Sequence, residues 1–387
     1  MKTKKIVLLG STGSIGRNSL KVLDAHRDHF KLVGIAAGEN IELLQEQISS
    51  FNPLEICVKY KKDAEQLKQV FSDKTIYSGE KGLEEIVSNS EVDTVISAIT
   101  GTSALSATLI SIRNHQRICL ANKETLVAAG ELINRELLRT DAELIPIDSE
   151  QSAIFQSLGA NKREYLKRII LTASGGPFFK TEMEEFSGIR VEDALAHPTW
   201  SMGRKITLDS ATLMNKALEM IEAYYLFNLR NDQIDVIIHP QSIVHSLVEF
   251  IDSSLIAQLS VPDMKIPILY SLSYPERLRF ENKPLNLTDL KKLDFFPVDV
   301  KKFRSIEMAR YVIDTKKNAG AVFNAANEVA AESFLNREIS FHDIFDVVET
   351  ILHDEVYFPI RSLVDLETTI RNTKKKTSDY IKRRKRK

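Results

Sequence analysis

The stretch "VLLGSTGSIGRNSL", residues 7–20, joins a short apolar run to a helical pattern through Gly10, Gly13 and Gly16. Glycine lets a backbone approach a pyrophosphate closely, and the following helix start offers unpaired N–H groups and a positive dipole end. Because the motif directly follows the first apolar run, it predicts a dinucleotide-binding turn. The structural alternative is a tight strand–helix turn that needs glycine only for its shape.

The residues after this turn repeat the same alternation. Apolar runs at 31–38, 55–60, 92–99 and 117–124 read as strands, and helical patterns separate them. Strand–helix alternation at this spacing predicts βαβ units and a parallel sheet. We therefore expect an α/β fold that begins with a Rossmann-like parallel sheet.

The pattern changes after about residue 150. Residues 168–172 and 234–259 read as strands around one strong helix, with a hairpin in the second region, which predicts a central α+β domain. Three prolines mark residues 275–298 as an extended connector, and helical patterns follow. The expected domains are a nucleotide-binding domain (1–149), a catalytic and connective α+β domain (150–274), an extended linker (275–300), a C-terminal helical bundle (301–371) and a basic tail (372–387).

Composition excludes several classes of protein. Of 387 residues, 43% are hydrophobic and 27% charged, as in ordinary globular proteins. The two cysteines, Cys57 and Cys119, lie in apolar runs and suggest buried thiols in a reducing compartment. No export signal follows the first lysines, and the uncharged stretch 94–112 is too rich in Ser and Thr for a membrane span. We expect a cytoplasmic protein with no membrane partner.

The net charge of −1 conceals an asymmetry. Residues 371–387 carry ten basic residues and one acid. A block of like charge is usually a solvated, mobile tail. Nucleic acid is not an expected partner, since this stretch is the single feature that would favour one.

Three acidic residues suggest a metal site. Asp148 and Glu150 follow an apolar run, and on extended backbone their side chains would share a face. A proton, a base or a metal ion could neutralise such a pair, and a third acid, Glu219, favours the metal. Three carboxylates without His or Cys suit Mg²⁺ or Mn²⁺ rather than zinc.

Glu219 belongs to a polar stripe on the helical pattern "SATLMNKALEMIEAYYLF". With Asp209 or Ser210 as the predicted N-cap, Thr212, Asn215, Lys216 and Glu219 would lie on one face. Because the rest of this helix is so apolar, the polar stripe indicates residues that line a binding site. The alternative is a solvated face with a local Lys–Glu pair.

Hydroxyl, amide and ammonium donors near this helix suit a phosphomonoester. They are Ser174 in "TASGGPF", Ser210, Asn215 and Lys216. The loop "AHPTWSMGRK", residues 196–205, contains the chain's single tryptophan, Trp200, and Gly203. Such a loop either closes over a small ligand or packs its tryptophan underneath. His239 and His245 are more typical of core or rim positions than of catalysts.

Together these motifs resemble the 1-deoxy-D-xylulose 5-phosphate reductoisomerase family. "GSTGSIG", "LANKE", "IDSEQSAIFQ", "SGGPF", the block from His197 to Ala223, "IHPQSIVHS" and "PDMKIPI" match its pattern in order, over nearly the whole chain except the basic tail. The resemblance implies a cytoplasmic homodimer, an NADP-dependent oxidoreductase that converts 1-deoxy-D-xylulose 5-phosphate to 2-C-methyl-D-erythritol 4-phosphate in non-mevalonate isoprenoid precursor synthesis. It implies NADPH and Mg²⁺ or Mn²⁺ as cofactors, with Co²⁺ as a further candidate.

The resemblance also implies roles for individual residues. The implied cofactor contacts are Thr12, Gly13, Ser14, Ile15, Gly38, Glu39, Asn40, Asn122, Glu124 and Gly203. The implied metal ligands are Asp148, Glu150 and Glu219, and with Lys123 they form the implied catalytic set. The implied substrate contacts are Lys123, Ser149, Glu150, Ser174, His197, Ser210, Asn215, Lys216 and Glu219.

Glu39 departs from the family pattern, in which many members have a basic residue. An acid after the second strand favours an unphosphorylated ribose, so it weakens the expected preference for NADP over NAD. Arg17, Lys59, Lys61 and Lys62 are the candidate compensating cations.

Two other functions compete with this expectation. A plain NADP-dependent dehydrogenase would need the glycine turn but neither the metal ligands nor the phosphate donors. A non-catalytic nucleotide sensor would use the basic tail to bind nucleic acid.

Overall fold

The computed structural model describes residues 3–196, 203–279 and 281–384. A seven-stranded sheet forms first, and every neighbouring pair in it is parallel. Its order is β4-β3-β2-β1-β5-β6-β7. The strands are β1 (Lys4–Leu9), β2 (Phe30–Ala37), β3 (Glu55–Val58), β4 (Thr75–Ser78), β5 (Thr94–Ser97), β6 (Arg117–Leu120) and β7 (Leu144–Pro146).

Helices cover both faces of this sheet, which explains its continuous apolar runs. In β1, Ile6 and Leu8 belong to one core cluster and Val7 and Leu9 to another, and all four are fully buried. The helices that alternate with the strands are α1 (Ser14–Ala25), α2 (Ile41–Phe51), α3 (Lys61–Val70), α4 (Gly79–Ser88), α5 (Leu105–Arg113) and α6 (Lys123–Leu137). The predicted Rossmann-like sheet is confirmed.

A second, five-stranded sheet has the order β11-β10-β8-β9-β12. Its strands are β8 (Leu166–Ala173), β9 (Ile234–Ile238), β10 (Val244–Phe250), β11 (Leu255–Leu259) and β12 (Phe296–Pro297). The strands β10 and β11 pair antiparallel, which confirms the predicted hairpin, while β8 and β9 are parallel. The sheet is therefore mixed, as an α+β layer predicts.

The described residues contain ten further α-helices and three short 3-10 helices, Arg163–Tyr165, Met183–Gly188 and Asn231–Gln233. The α-helices are α7 (Ser149–Leu158), α8 (Val191–Ala194), α9 (Arg204–Ala211), α10 (Met214–Phe227), α11 (Lys265–Ser273), α12 (Leu287–Leu290), α13 (Ser305–Thr315), α14 (Ala319–Leu335), α15 (Phe341–His353) and α16 (Leu363–Arg384). Among the described helices, none is long and apolar enough to cross a membrane.

The chain divides into two compact units. One consists of Met1–Thr125, Ile133–Ser152 and Asp263–Asn282 and contains the parallel sheet. The other consists of Leu126–Leu132, Ala153–Pro262 and Lys283–Lys387 and contains the mixed sheet and the C-terminal helices.

The expectation of a mobile basic tail is wrong as far as Arg384, because α16 continues to that residue. Thr373, Thr377 and Ile381 recur every four residues on its buried face. Basic side chains also pair with neighbouring helices, since Lys374 lies 2.6 Å from Glu328 and Arg384 lies 2.5 Å from Asp343. The predicted boundary at residue 371 therefore falls inside a packed helix.

Candidate active site

The glycine turn lies between β1 and α1, as predicted. Gly10 has a φ of +91°, which L side chains rarely adopt, and a Cβ on Gly16 would lie 2.2 Å from the Gly10 carbonyl oxygen. Gly13 precedes the helix, so no side chain caps its first N–H groups. Residues 12–15 are partly or fully exposed at this terminus, which fits a pyrophosphate.

The predicted ribose contacts Gly38, Glu39 and Asn40 directly follow β2. The Asn40 Oδ1 accepts a hydrogen bond from the Leu43 N–H at 3.1 Å, so this side chain caps α2. Glu39 is paired with Lys59, whose Nζ lies 2.8 Å from Oε1. The hydrogen bond and charge of Lys59 hold the pKa of the Glu39 carboxyl below its usual range.

Asn122 precedes α6 and is almost fully buried. Its Nδ2 donates to the carbonyl oxygens of Ile99 and Gly101, each at 2.5 Å. Within the described residues its buried Oδ1 accepts no hydrogen bond. Because an unmatched buried acceptor is costly, this oxygen is suited to a ligand donor. The predicted contact Glu124 lies in the first turn of α6.

Lys123 is the first residue of α6, and its ammonium is paired with Asp148. The Lys123 Nζ lies 2.5 Å from Asp148 Oδ2, and both side chains are less than 15% exposed. The shielding from water strengthens this ion pair relative to a surface pair.

Asp148 and Glu150 do not lie on extended backbone, so the same-face argument is wrong. The strand β7 ends at Pro146, and Ser149 begins α7. The Ser152 N–H donates to the Asp148 carbonyl at 2.8 Å, as in a first helical turn. Both carboxylates therefore lie at a helix N-terminus, where the helix dipole favours negative charge. The Ser149 hydroxyl donates to Glu150 Oε2 at 2.5 Å.

The helix predicted to start at Asp209 or Ser210 is two helices. Both residues lie in the last turn of α9, and α10 begins at Met214. Leu213, with a φ of +53°, separates the two helices. The Thr212 Oγ1 donates back to the Leu208 carbonyl, so Thr212 is not part of the stripe on α10. The N-cap prediction fails because helical periodicity does not reveal this break.

The loop after β8 lies against the end of α9. Gly175 and Gly176 both have positive φ values, and a Cβ on Gly176 would lie 2.8 Å from the Ser210 carbonyl oxygen. The Gly176 N–H donates to Ser174 Oγ at 3.4 Å. Two of the predicted phosphate-binding hydroxyls, Ser174 and Ser210, therefore belong to segments in direct contact.

Lys216 and Glu219 of α10 are buried and Asn215 is half-buried, so the solvated-face alternative is wrong. Glu219 is fully buried, and Lys216 is 3% exposed. The Asn215 Nδ2 donates to Glu219 Oε1 at 2.5 Å, while Lys216 Nζ donates to Glu219 Oε2 and to the Thr172 carbonyl. A buried carboxylate held by two donors has a fixed orientation.

Asp148, Glu150 and Glu219 are the three acidic residues that suit a metal ion. Asp148 and Glu150 are half-buried at the start of α7, Glu219 is buried on α10, and the described residues contain no other candidate set. Since all the donors are carboxylate oxygens, the set fits Mg²⁺ or Mn²⁺ and is a poor zinc site.

Some residues singled out from the sequence lie outside the described residues or in the core. His197 and Trp200 lie outside the described residues, while Gly203 directly precedes α9. His239 is fully buried with Nδ1 2.8 Å from the Asp294 carbonyl oxygen, which confirms its core position.

Sequence reasoning missed the role of Asp209, a buried carboxylate. Its Oδ2 lies 2.5 Å from Lys205 Nζ, and its Oδ1 accepts from Asn327 at 3.0 Å. The four-residue spacing of Lys205 and Asp209 was the available signal for their pairing.

Three family models match this chain. Residues 6–130 match 1-deoxy-D-xylulose 5-phosphate reductoisomerase, residues 144–227 match its C-terminal domain, and residues 259–379 match a further C-terminal domain of DXP reductoisomerase. Relatives named 1-deoxy-D-xylulose 5-phosphate reductoisomerase agree over most of their length. The protein of Halalkalibacterium halodurans is 47% identical over 94% of this chain and 96% of its own, and that of Endomicrobium trichonymphae is 47% identical over 89% and 90%.

Solved structures agree with these matches. A DOX-P reductoisomerase in complex with NADPH, fosmidomycin and magnesium has a TM-score of 0.92 and 38% identity, covering 98% of both chains. The 1-deoxy-D-xylulose 5-phosphate reductoisomerase from Zymomonas mobilis in complex with NADPH has a TM-score of 0.93 and 34% identity, covering 98% of this chain and 99% of that one. The chain described here therefore belongs to the 1-deoxy-D-xylulose 5-phosphate reductoisomerase family.

Proposed function

We propose that this protein is an NADP-dependent oxidoreductase that converts 1-deoxy-D-xylulose 5-phosphate to 2-C-methyl-D-erythritol 4-phosphate, with NADPH and a divalent metal ion. The observation that carries the proposal is that a chain of this family has the three carboxylates suited to a metal ion, Asp148, Glu150 and Glu219. The reaction is a step of non-mevalonate isoprenoid precursor synthesis.

The cofactors fit the residues that would hold them. The turn at residues 12–15 suits the pyrophosphate of NADPH, and residues 38–40, 122, 124 and 203 supply the remaining predicted contacts. When bound, NADPH supplies a hydride and the metal ion polarises a substrate carbonyl. The metal ligands are Asp148, Glu150 and Glu219, and Mg²⁺, Mn²⁺ or Co²⁺ are the candidate ions.

The substrate phosphate is assigned to four donors. They are Ser174, Ser210, Asn215 and Lys216, and their segments contact one another or lie on the same helix. Lys216 is the cation of this set, and its burial strengthens its attraction for an anion. Ser149, Glu150 and His197 are assigned to the sugar part.

The rearrangement breaks one carbon–carbon bond and forms another, so charge develops on substrate oxygens. Lys123 would neutralise such charge, and its ion pair with the proposed metal ligand Asp148 supports this role. Asn215 and Lys216 keep the Glu219 carboxylate in one orientation through hydrogen bonds to its two oxygens. Together with Glu150 and Asp148, these residues form the catalytic set.

Domain roles follow the division predicted from the sequence. Residues 1–149 supply most of the dinucleotide contacts, residues 150–274 supply most of the substrate contacts, and the linker and C-terminal helices complete the fold. We place the protein in the cytoplasm.

A homodimer is the proposed assembly, with a second copy of the chain covering the edge strand β11. Leu255, Ile256 and Leu259 of this strand are between 36% and 52% exposed. Within the sheet β11 pairs only with β10, so its outer backbone groups can pair with another strand. Sedimentation of the purified protein tests this assembly.

The activity is tested by following NADPH oxidation with 1-deoxy-D-xylulose 5-phosphate, with and without a chelator. The proposal predicts oxidation that requires the substrate and added Mg²⁺ or Mn²⁺. Oxidation that persists after complete removal of divalent ions would instead support the plain dehydrogenase.

A further inference from the structure

An acid, a base and an aromatic ring meet at the ends of β2 and β3. These strands are parallel neighbours, with Ala37 in register with Val58. Glu39 follows β2 by two residues, and Lys59 and Tyr60 directly follow β3. In parallel sheets of this kind, the ribose that carries the adenine is read at the end of the strand next to the glycine-rich strand, which here is β2.

The contacts link these side chains into one cluster. The Lys59 Nζ lies 2.8 Å from Glu39 Oε1 and 5.0 Å from the centre of the Tyr60 ring. The Tyr60 hydroxyl is 3.4 Å from the same Glu39 oxygen. Lys62 places its Nζ 5.7 Å from the ring centre, and it forms no ion pair within the described residues. The cluster therefore carries one acid and two bases around one ring.

The cluster is open to solvent. The side chains of Lys59 and Glu39 are 53% and 70% exposed, and Tyr60 is 43% exposed. A surface ion pair in this setting is weak, so Lys59 can exchange Glu39 for a more highly charged anion. A dianionic phosphate is such an anion, whereas a ribose hydroxyl carries no charge that could compete with Glu39.

We propose that Lys59, supported by Lys62, binds the 2′-phosphate of NADPH in this chain, and that Glu39 pairs with Lys59 when no phosphate is bound instead of binding a ribose hydroxyl. This inference rests on the proposed function, because it names the group that selects the cofactor at the same site. It makes Lys59 a specificity-determining residue that compensates for Glu39, the acid at the position where many family members have a base. Lys59 and Glu39 then have opposite effects on affinity for NADPH.

The test is a titration of the full-length protein with NADPH and with NADH, without substrate, by nicotinamide fluorescence. The variant Lys59→Gln is expected to weaken NADPH binding about tenfold and to leave NADH binding within about twofold. The variant Glu39→Gln is expected to tighten NADPH binding by about threefold, because it removes a negative charge near the phosphate.

Lys61 provides the matched control. Its Nζ lies 3.9 Å from Glu65, and its side chain is 85% exposed. Lys61 is the first residue of α3 and stands between Tyr60 and Lys62 in the sequence. The variant Lys61→Gln is expected to change the affinity for either nucleotide by less than about twofold. Raising the salt concentration is expected to weaken NADPH binding more in the unmodified protein than in Lys59→Gln.

Two results would overturn the inference. One is a Lys59→Gln variant that binds NADPH as tightly as the unmodified protein or loses NADPH and NADH equally. The other is a Glu39→Gln variant that loses NADH while retaining NADPH, since Glu39 would then bind the ribose hydroxyl. Turnover of 1-deoxy-D-xylulose 5-phosphate by the unmodified protein is measured separately. Failure of the role proposed for Lys59 can therefore be distinguished from failure of the proposed enzymatic function.

Discussion

Replacing Glu219 with Gln tests the metal site at its most buried ligand. Glu219 is fully buried, and Asn215 and Lys216 donate to its two oxygens. The substitution keeps the size of the side chain and removes one of three negative charges that would face the metal ion. The carbonyl oxygen of Gln can accept a hydrogen bond from only one of these two donors, because its NH2 group donates and does not accept. One of the two hydrogen bonds to residue 219 is therefore lost.

The size of the effect follows from the interactions lost. A hydrogen bond to a charged group contributes about 1.5–3 kcal/mol, and 2.7 kcal/mol corresponds to roughly a hundredfold change in rate. We therefore expect turnover at limiting Mg²⁺ to fall about a hundredfold or more. Lys216 keeps its bond to the Thr172 carbonyl at 2.6 Å, so the free energy of unfolding should fall by only about 1–3 kcal/mol.

Three measurements separate the metal role from misfolding. Steady-state rates over a range of Mg²⁺ concentrations give the turnover and apparent metal affinity, urea unfolding gives stability, and fluorescence titration gives NADPH affinity. NADPH affinity should stay within about twofold, because the glycine turn does not include Glu219. The control Glu307→Gln, at a side chain 60% exposed, should change none of these values. Unchanged turnover of Glu219→Gln at limiting Mg²⁺ would refute the metal assignment.

Other substitutions test the surrounding fold. Gly16→Ala should abolish measurable NADPH binding or folding, because its Cβ would clash with backbone, whereas Gly188→Ala, with open space around it, should have little effect in the same titration. Ile381→Ala should lower the free energy of unfolding by about 2–4 kcal/mol in urea, and no change would mean that α16 is not packed. Burial alone would raise the pKa of Asp346, but hydrogen bonds from Arg304 and Arg384 lower this pKa overall. The ionised carboxylate therefore stabilises the folded state above its unfolded pKa, and this stabilisation is lost as the pH falls. Asp346→Asn should therefore cost about 1 kcal/mol at neutral pH, with a difference from the unmodified protein that vanishes in acid; a constant difference would contradict this pairing.

Periodicity predicted the elements of the fold well where packing repeats regularly. The run Ile6–Leu9 is buried on both faces of the sheet, which is the condition that produces an uninterrupted apolar strand. The glycine turn was equally visible, because close backbone packing at Gly16 excludes any side chain.

The sequence patterns did not reveal features that depend on the conformation of a single residue or on partners far along the chain. The left-handed residue Leu213 splits one amphipathic pattern into α9 and α10, and no local signal marks it. Charge composition suggested a solvated tail, but partners far along the chain, such as Glu328 and Asp343, hold the basic side chains of α16. For Glu39 the sequence offered four candidate cations and could not choose among them, because the actual partner, Lys59, belongs to the next strand–helix unit.

In the candidate site, too, some features were predictable from the sequence and others were not. The residue types at Asp148, Glu150 and Glu219 pointed to a hard metal ion, and that chemistry did not depend on the local backbone. The extended geometry expected for Asp148 and Glu150 was wrong because α7 begins between them. Residue chemistry was therefore more predictable than the backbone that positions it.

The most direct test of the central claim is the structure of the product. The purified protein is incubated with 1-deoxy-D-xylulose 5-phosphate, NADPH and Mg²⁺, and the product is identified by NMR. The account predicts the branched 2-C-methyl-D-erythritol 4-phosphate, formed only when the metal ion is present. An unbranched sugar alcohol phosphate, which a simple carbonyl reduction would give, would contradict it.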